Sequence, residues 1–355
     1  MVVYLWYSND EETRRPLGLY TKYFDQYPPE VYTEYSYKET WEPFLKIQKG
    51  ENLIILVNFR GLTNKIINRI IKSDIEQKIL ILYEVPWSRR IKKVFKNLTF
   101  YTKIFDKIYT YIKPLTNNKN IFYLGNFFAI HPYQFDVFKY YLKNIDNKIN
   151  RITMVLAEHS RIEALQIKNI FEAFKNPRLF RKLFFQLIDH PNAKYEIAGV
   201  QFNKLYGVRS QIVRYFDKFD VIDIFGRSGW NRTKNYKGEA KLIWNVLSRY
   251  NWCLCIENNN INNYFSEKPI HAFLSGCIPI MLGGPNPNTV LPKGSFVDLR
   301  KFNYKNIPNY IQDERNYHKH SQILKQKYKQ VLQHFNAHYK FFNMINTNKD
   351  LIYTE

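Results

Sequence analysis

The stretch from Trp252 to Lys268, WCLCIENNNINNYFSEK, limits what this chain can fold into more than any other. Trp252 to Ile256 is a short apolar run of strand formers, and Glu257-Asn258 follows it with a carboxylate and an amide. Asn259 to Tyr264 reads as a polar loop. Ser266 is the expected N-cap of a helix reading EKPIHAFLSG, in which Pro269 is tolerated in the first turn and Gly276 is the stop. A second apolar run, Cys277 to Leu282, precedes Gly283-Gly284-Pro285. Strand, loop, helix and strand make an α/β unit, and its sheet holds ligands at the carboxyl ends of the strands, where Glu257 stands.

The same alternation occurs earlier. Leu53 to Phe59 is a buried-strand run, and Ile66, Ile67, Ile70 and Ile71 recur at helical spacing within Asn64 to Gln77. Lys78 to Tyr83 is the next strand. Glu84 therefore falls at a strand's carboxyl end; by position alone it is equally an ordinary strand-end or turn residue. Further along, Val2 to Tyr7, Ile152 to Leu156, Ala198 to Phe202, Asp220 to Phe225 and Ser295 to Leu299 read as strands. Helices are expected over Glu163 to Phe174, Tyr206 to Phe216, Lys237 to Tyr250 and Ile307 to Phe342, with Arg209 near the start of the second. The polar segment Lys143 to Arg151 marks a boundary between residues 1–145 and 151–310, and residues 311–355 are a helical segment expected to cross back to the first domain.

Lys and Arg outnumber Asp and Glu by 53 to 31, a formal charge of +22 in 355 residues. Such a surface attracts polyanions, nucleotides or an anionic membrane face; a biased genome rich in Lys, Asn, Ile and Tyr is the plainer explanation. Cys253, Cys255 and Cys277 all lie in apolar runs and are expected to be reduced, buried thiols. There is no Asp-x-Asp triplet and no His/Cys spacing that completes a metal site. No window approaches the ~20 apolar residues that span a bilayer, and the N-terminus lacks a basic leader with a long apolar run. A protein made in the cytoplasm is expected, with peripheral contact to an anionic membrane left open by the charge.

Several spaced motifs then agree in order. Glu257-Asn258, Tyr264-x-Ser266-Glu267-Lys268, Gly276-x-x-Pro279, Gly283 and Ser295-Phe296-Val297-Asp298 together resemble the signature of the family 10 glycosyltransferases, the α-1,3/4-fucosyltransferases. Leu205-Tyr206-x-x-Arg209 and Asp223-x-Phe225-Gly226-x-x-Gly229-Trp230 resemble the segment just upstream, and Tyr83-Glu84-Val85-Pro86 is similar to the family's Glu-Ser-Pro motif, with Val85 replacing Ser. The resemblance is dense over about residues 200–300, thin over 75–115 and nearly absent elsewhere.

It implies a GT-B fold, two Rossmann-like domains facing across a cleft, and inverting transfer of L-fucose from GDP-fucose to a hydroxyl of a GlcNAc-containing glycan. It also implies residue roles. Arg209 and Lys268 match the cations that hold the diphosphate, Glu267 the carboxylate on the ribose hydroxyls and Tyr264 the ring against guanine. Glu257 and Asn258 brace the loop, with sugar contact possible in chemical terms. Glu84 becomes the general base, and closure of the two domains assembles the site. Apart from the resemblance, Arg227 and Arg232 are weaker candidates for phosphate contact. Fixed cations can neutralise a leaving diphosphate without a metal, so no cofactor is expected, with stimulation by manganese or magnesium left open. The rival readings are the same scaffold with another nucleotide sugar or without activity, and a basic non-catalytic module for nucleic acid or glycan. No RNA-recognition motif favours nucleic acid.

Overall fold

The computed structural model describes residues 2–7, 36–39, 52–57, 64–82, 94–110, 117–124, 148–156, 194–197, 200–226, 230, 233–240, 243–261, 264–335, 343–344, 346–351 and 353. Two compact units divide the chain. The first takes Met1–Val137, Glu196–Val200 and Gln330–Thr354, and the second takes Phe138–Tyr195 and Gln201–Lys329.

In the first unit, β1 (Val2–Tyr7), β2 (Ser36–Glu39), β3 (Asn52–Val57), α1 (Asn64–Ile71), β4 (Gln77–Leu82), α2 (Leu98–Tyr101), β5 (Lys107–Thr110) and β6 (Ile121–Tyr123) follow in order. The strands form one sheet, β2-β1-β3-β4-β5-β6, parallel throughout. Ile79 to Leu82 are buried on both faces of the sheet, the pattern of a central parallel strand. Of the isoleucine stripe on α1, Ile67 and Ile70 are buried, but Ile71 is 54% exposed. The helix ends at that residue, so Ile71 is no longer held against the sheet. The C-terminal stretch is tied down here: Lys107 donates to the carbonyls of Met344 and Thr347, and Leu351 N donates to Tyr123 O.

From Ile149 onward, β7 (Ile149–Val155), β8 (Lys194–Ile197), β9 (Val200–Lys204), α3 (Tyr206–Lys218), β10 (Ile222–Phe225), α4 (Ile243–Leu247), β11 (Tyr250–Ile256) and β12 (Asn259–Asn260) lead to the stretch that ends at Lys268. After it come α5 (Lys268–Leu274), β13 (Ile278–Leu282), β14 (Val297–Asp298), α6 (Ile307–Gln312) and α7 (Glu314–His334). Five strands form a parallel sheet in the order β10-β7-β11-β13-β14. That is the doubly wound order 2-1-3-4-5, which reverses direction between β7 and β11. The α/β class holds in both units.

Three elements differ from the sequence reading, each for a local reason. The helix expected over Lys237 to Tyr250 is confined to Ile243–Leu247. Upstream of it Tyr236 bridges Ile224, and Gly238, at φ 89°, accepts a hydrogen bond from Gly226 N, so residues 235–238 run beside β10. The long helix expected from Ile307 breaks at Asp313, whose extended backbone (ψ 108°) separates α6 from α7. Its carboxylate then accepts from Arg315 N, as capping carboxylates do. Finally, Asn259 and Asn260 are not loop but a short strand, antiparallel to Asn203 and Lys204 of β9. The helix expected over Glu163 to Phe174 lies outside the described residues. Among the described residues no helix is long and apolar enough to cross a membrane.

Candidate functional site

β11 is buried along its whole length and delivers Glu257 to the carboxyl edge of the sheet. Glu257 N donates to Leu282 O, which ties this edge to the end of β13. The next residue of that strand's exit, Gly283, packs so closely that a Cβ would lie 2.8 Å from Glu257 Cγ and 3.0 Å from Phe265 Cε1. A glycine is required there because the backbone needs the space a side chain would fill.

Glu257 is 1% exposed and its carboxylate is fully engaged. Oε1 accepts from Ser266 N and from Ser266 Oγ, both at 2.9 Å, and Oε2 lies 3.3 Å from Lys268 Nζ. Lys268 Nζ also donates to Ser266 Oγ at 2.6 Å. The serine is therefore a spacer between carboxylate and ammonium. It is not the helix cap expected from the sequence: Glu267 occupies the N-cap position of α5, in αR geometry and with no side-chain capping bond.

Arg209, in the first turn of α3, reaches the same place from another element. Leu205 N donates to Asn258 O, fixing the start of α3 against the end of β11. Arg209 then donates through NH2 to Asn258 Oδ1 at 2.6 Å and to Glu257 O at 3.4 Å, and its guanidinium lies 5.0 Å above the Tyr206 ring. The residue is 2% exposed, and its Nε finds no partner among the described residues. Two cations from two helices thus meet on a two-residue strand end, where the field from one lowers the other's affinity for protons.

The charges survive that crowding. Burial works to lower the Lys268 pKa and Arg209 adds to this, but the carboxylates of Glu257 and Glu267 outweigh them and hold the ammonium above its usual value. Burial pulls the Arg209 guanidinium below its usual value, opposed by Tyr206 and Glu257; arginine remains cationic in proteins. Against the desolvation that would raise it, Lys268 and His271 hold the Glu267 carboxyl below the usual range. Glu267 is half-exposed, 4.0 Å from Lys268 Nζ, and so has oxygens open to a ligand.

Tyr264 stands half-buried on the same loop, its N–H bonded to Ile261 O. Arg209, Glu257, Asn258, Glu267 and Lys268 are brought together, with Tyr264 two residues from Ser266. Glu84, Arg227 and Arg232 lie outside the described residues. Two residues beside this site were given no role from the sequence: Tyr206, quoted only within a motif and lying beneath Arg209, and His271, one helical turn after Glu267. The i, i+4 spacing of Glu267 and His271 was the available signal.

Other pieces of the motifs are structural. Trp230 is fully buried and donates from Nε1 to Leu156 O at 2.7 Å, closing the end of β7. Asp220 and Asp223 both pair with Arg151 at 3.2 Å, and the Tyr250 hydroxyl donates to Asp223 at 2.9 Å, so the two aspartates form a network at the edge strand. All three cysteines are buried and free, as expected. Among the described residues no group of three or more His, Cys, Asp or Glu is arranged to hold a metal ion.

The parallel sheet gathers these cations at its carboxyl edge, where open α/β sheets hold their ligands. Residues 194–350 match the profile of glycosyltransferase family 10 (fucosyltransferase), C-terminal part. The chain is 37% identical over 57 residues to an α-(1,4)-fucosyltransferase of Arabidopsis thaliana, a match covering 16% of this chain and 14% of that relative. Among solved structures it is similar to an α1,3-fucosyltransferase with GDP-fucose, at 13% identity and TM-score 0.47, covering 94% of this chain and 90% of that one. It is also similar to an α1,3-fucosyltransferase with GDP, at 14% identity and TM-score 0.48, covering 98% and 92%.

Proposed function

We propose that this chain moves L-fucose from GDP-fucose to a hydroxyl of a GlcNAc-containing glycan, with inversion at the sugar's anomeric carbon. The observation that carries this is the meeting of Arg209 and Lys268 at Glu257-Asn258, within a family 10 domain. A departing diphosphate gains negative charge, and fixed cations aimed at it stabilise the transition state without reorganising. Arg209 offers planar, multi-donor contact, with Nε still uncommitted, and Lys268 a point charge. Glu267 takes the ribose hydroxyls, Tyr264 the guanine face, and Glu257 and Asn258 hold the two cations in place.

In the transfer, the acceptor oxygen forms a bond to the anomeric carbon as the bond from that carbon to the β-phosphate oxygen breaks, and the electron pair leaves with GDP. The acceptor's proton passes to a base, for which we propose Glu84. No metal is required in this scheme, because the two cations supply the neutralising charge. The basic surface suits peripheral contact with an anionic membrane, and the chain's net charge of +22 is the basis for that proposal.

Thermal unfolding in the presence of GDP, UDP and CMP tests the donor reading. GDP at 100 times its dissociation constant stabilises by about 2.7 kcal/mol if it binds only the folded chain. Selective stabilisation by GDP is expected; indifference to all three nucleotides overturns the reading.

A further inference from the structure

Three neighbouring strands of the second unit's parallel sheet, β10, β7 and β11, start on one edge, opposite the carboxyl edge that gathers Arg209 and Lys268. The seven residues of β11 set the two edges roughly 20 Å apart. Phe219 stands shortly before β10, Ile149 opens β7, and Arg249 precedes β11, its carbonyl accepting from Ile149 N at 2.7 Å. Phe219 is 50% exposed and Ile149 is 46% exposed, so adjacent strand starts carry two large hydrophobic side chains into solvent. The turn that ends α3 fixes the first of them. Asp220, at φ 54°, stops the helix, Val221 N reaches back to Phe216 O, and Phe216 and Val221 take the buried places. Phe219 is left outside, its ring 4.8 Å from that of Tyr215, which meets Tyr304 edge-on at 5.4 Å.

Cations flank these two tips. Lys218 and Arg249 are exposed, and so is Lys234. The nearby acids are already engaged: Asp220 is shared between Arg151 at 3.2 Å and Lys234 at 3.9 Å, and Asp217 accepts from Lys234 N and Asn235 N. Positive charge is therefore in excess along this edge. A nucleic-acid backbone would meet the cations but leave both apolar tips in water. A bilayer interface takes both, because headgroup phosphates meet Lys and Arg while aromatic and aliphatic side chains enter the layer beneath.

We propose that this amino edge of the second unit seats on an anionic phospholipid surface, with Phe219 and Ile149 entering the interface and Lys218, Lys234 and Arg249 meeting the headgroups. This rests on the peripheral contact proposed above and assigns it a face. Seated so, the sheet turns its carboxyl edge, with Arg209, Glu257 and Lys268, away from the bilayer, and the donor site stays open while the chain is docked.

The test is sedimentation of the full chain with vesicles of phosphatidylcholine alone and of two parts phosphatidylcholine to one part phosphatidylglycerol. It is repeated on the double variants Phe219→Ser/Ile149→Ser and Lys218→Gln/Arg249→Gln, and on Ile71→Ser, which removes an exposed hydrophobic side chain of the first unit. The unmodified chain should partition onto the anionic vesicles and not onto phosphatidylcholine. Burying the exposed halves of two such apolar side chains corresponds to about tenfold in partitioning, so Phe219→Ser/Ile149→Ser should bind about tenfold more weakly. Each headgroup-facing cation is worth about fivefold, so Lys218→Gln/Arg249→Gln should lose about 25-fold. Ile71→Ser should bind as the unmodified chain does. Where Phe219→Ser/Ile149→Ser does not fold, Phe219→Ser alone, at the exposed end of α3, carries the comparison with about a threefold loss. Undiminished binding by both double variants overturns this face and leaves peripheral contact standing. A loss in the charge variant with none in the apolar variant overturns lipid seating in favour of a soluble polyanion. Failure of the unmodified chain to bind anionic vesicles overturns both the face and the contact, while the donor reading is judged separately by GDP.

Discussion

Glu257→Gln isolates the electrostatic half of the site at nearly constant shape. In the native chain the carboxylate accepts two bonds from Ser266 at 2.9 Å each and faces the Lys268 ammonium at 3.3 Å. An amide oxygen can keep the Ser266 bonds, but the amide nitrogen then points its own donors at the ammonium. Breaking one side of a buried ion pair costs about 3–5 kcal/mol. Lys268 retains 14% exposure and a second acceptor in Ser266 Oγ, so the lower end, about 3 kcal/mol, is expected. At ~2–4 °C per kcal/mol for a domain of 150–250 residues, the unfolding midpoint drops by about 6–12 °C. Bound GDP returns negative charge to the ammonium. Differential scanning calorimetry with saturating GDP should therefore show a deficit less than half that of the unliganded pair. A deficit under ~1 kcal/mol without ligand, or one that GDP leaves unchanged, refutes the account of Glu257 as the partner of a phosphate-binding lysine.

Other outcomes follow from single features. Since His271 has its pKa lowered from 6.5 to about 4, the unfolded chain takes up a proton between those values and the folded chain does not; stability then falls as pH drops from 6.5 towards 4. The loss reaches ~3 kcal/mol at the low end, at ~1.4 kcal/mol per pH unit, and His271→Gln should flatten the slope in urea melts; an unchanged slope contradicts the assignment. Gly283→Ala places a methyl against Glu257 and should cost about 1–3 kcal/mol and weaken GDP binding. Gly276→Ala, at φ 68°, should cost about 1 kcal/mol yet leave GDP affinity as it was; equal effects of the two on affinity would refute the distinction. The three buried thiols should resist a thiol reagent in the native chain and all react on unfolding, which absorbance at the reagent's release band measures.

How much could be read from the sequence depended on whether a feature was local. The apolar run of β11, the helix stop at Gly276, which adopts φ 68°, and the run of β13 are set by neighbouring residues, and they stood in the sequence plainly. The meeting of Arg209 with Lys268 followed from motif order alone. What Ser266 does was not legible: a serine before Glu-Lys-Pro has the composition of a cap, and only the arrival of Glu257 beside it turns the hydroxyl into a bridge. The short helix α4 shows the same limit, because the residues before it are held beside β10 by bonds from Gly226 and Ile224, partners more than ten residues away. The break at Asp313 was within reach, since an Asp just before a helical run is an N-cap signal, but the apolar period on either side concealed it. His271 was passed over because a histidine among Ala, Phe and Leu resembles core packing; its effect on the Glu267 carboxyl shows only once the helix sets the two one turn apart.

The most direct test of the central claim is calorimetric titration of GDP into the unmodified chain, Arg209→Lys and Lys268→Ala. If both cations hold the diphosphate, each variant should bind GDP at least tenfold more weakly, about 1.4 kcal/mol, while guanosine, which lacks phosphates, loses no affinity. Arg209→Lys should fail to rescue despite keeping the charge, because the planar fork is lost. Unchanged GDP affinity in both variants would contradict the account.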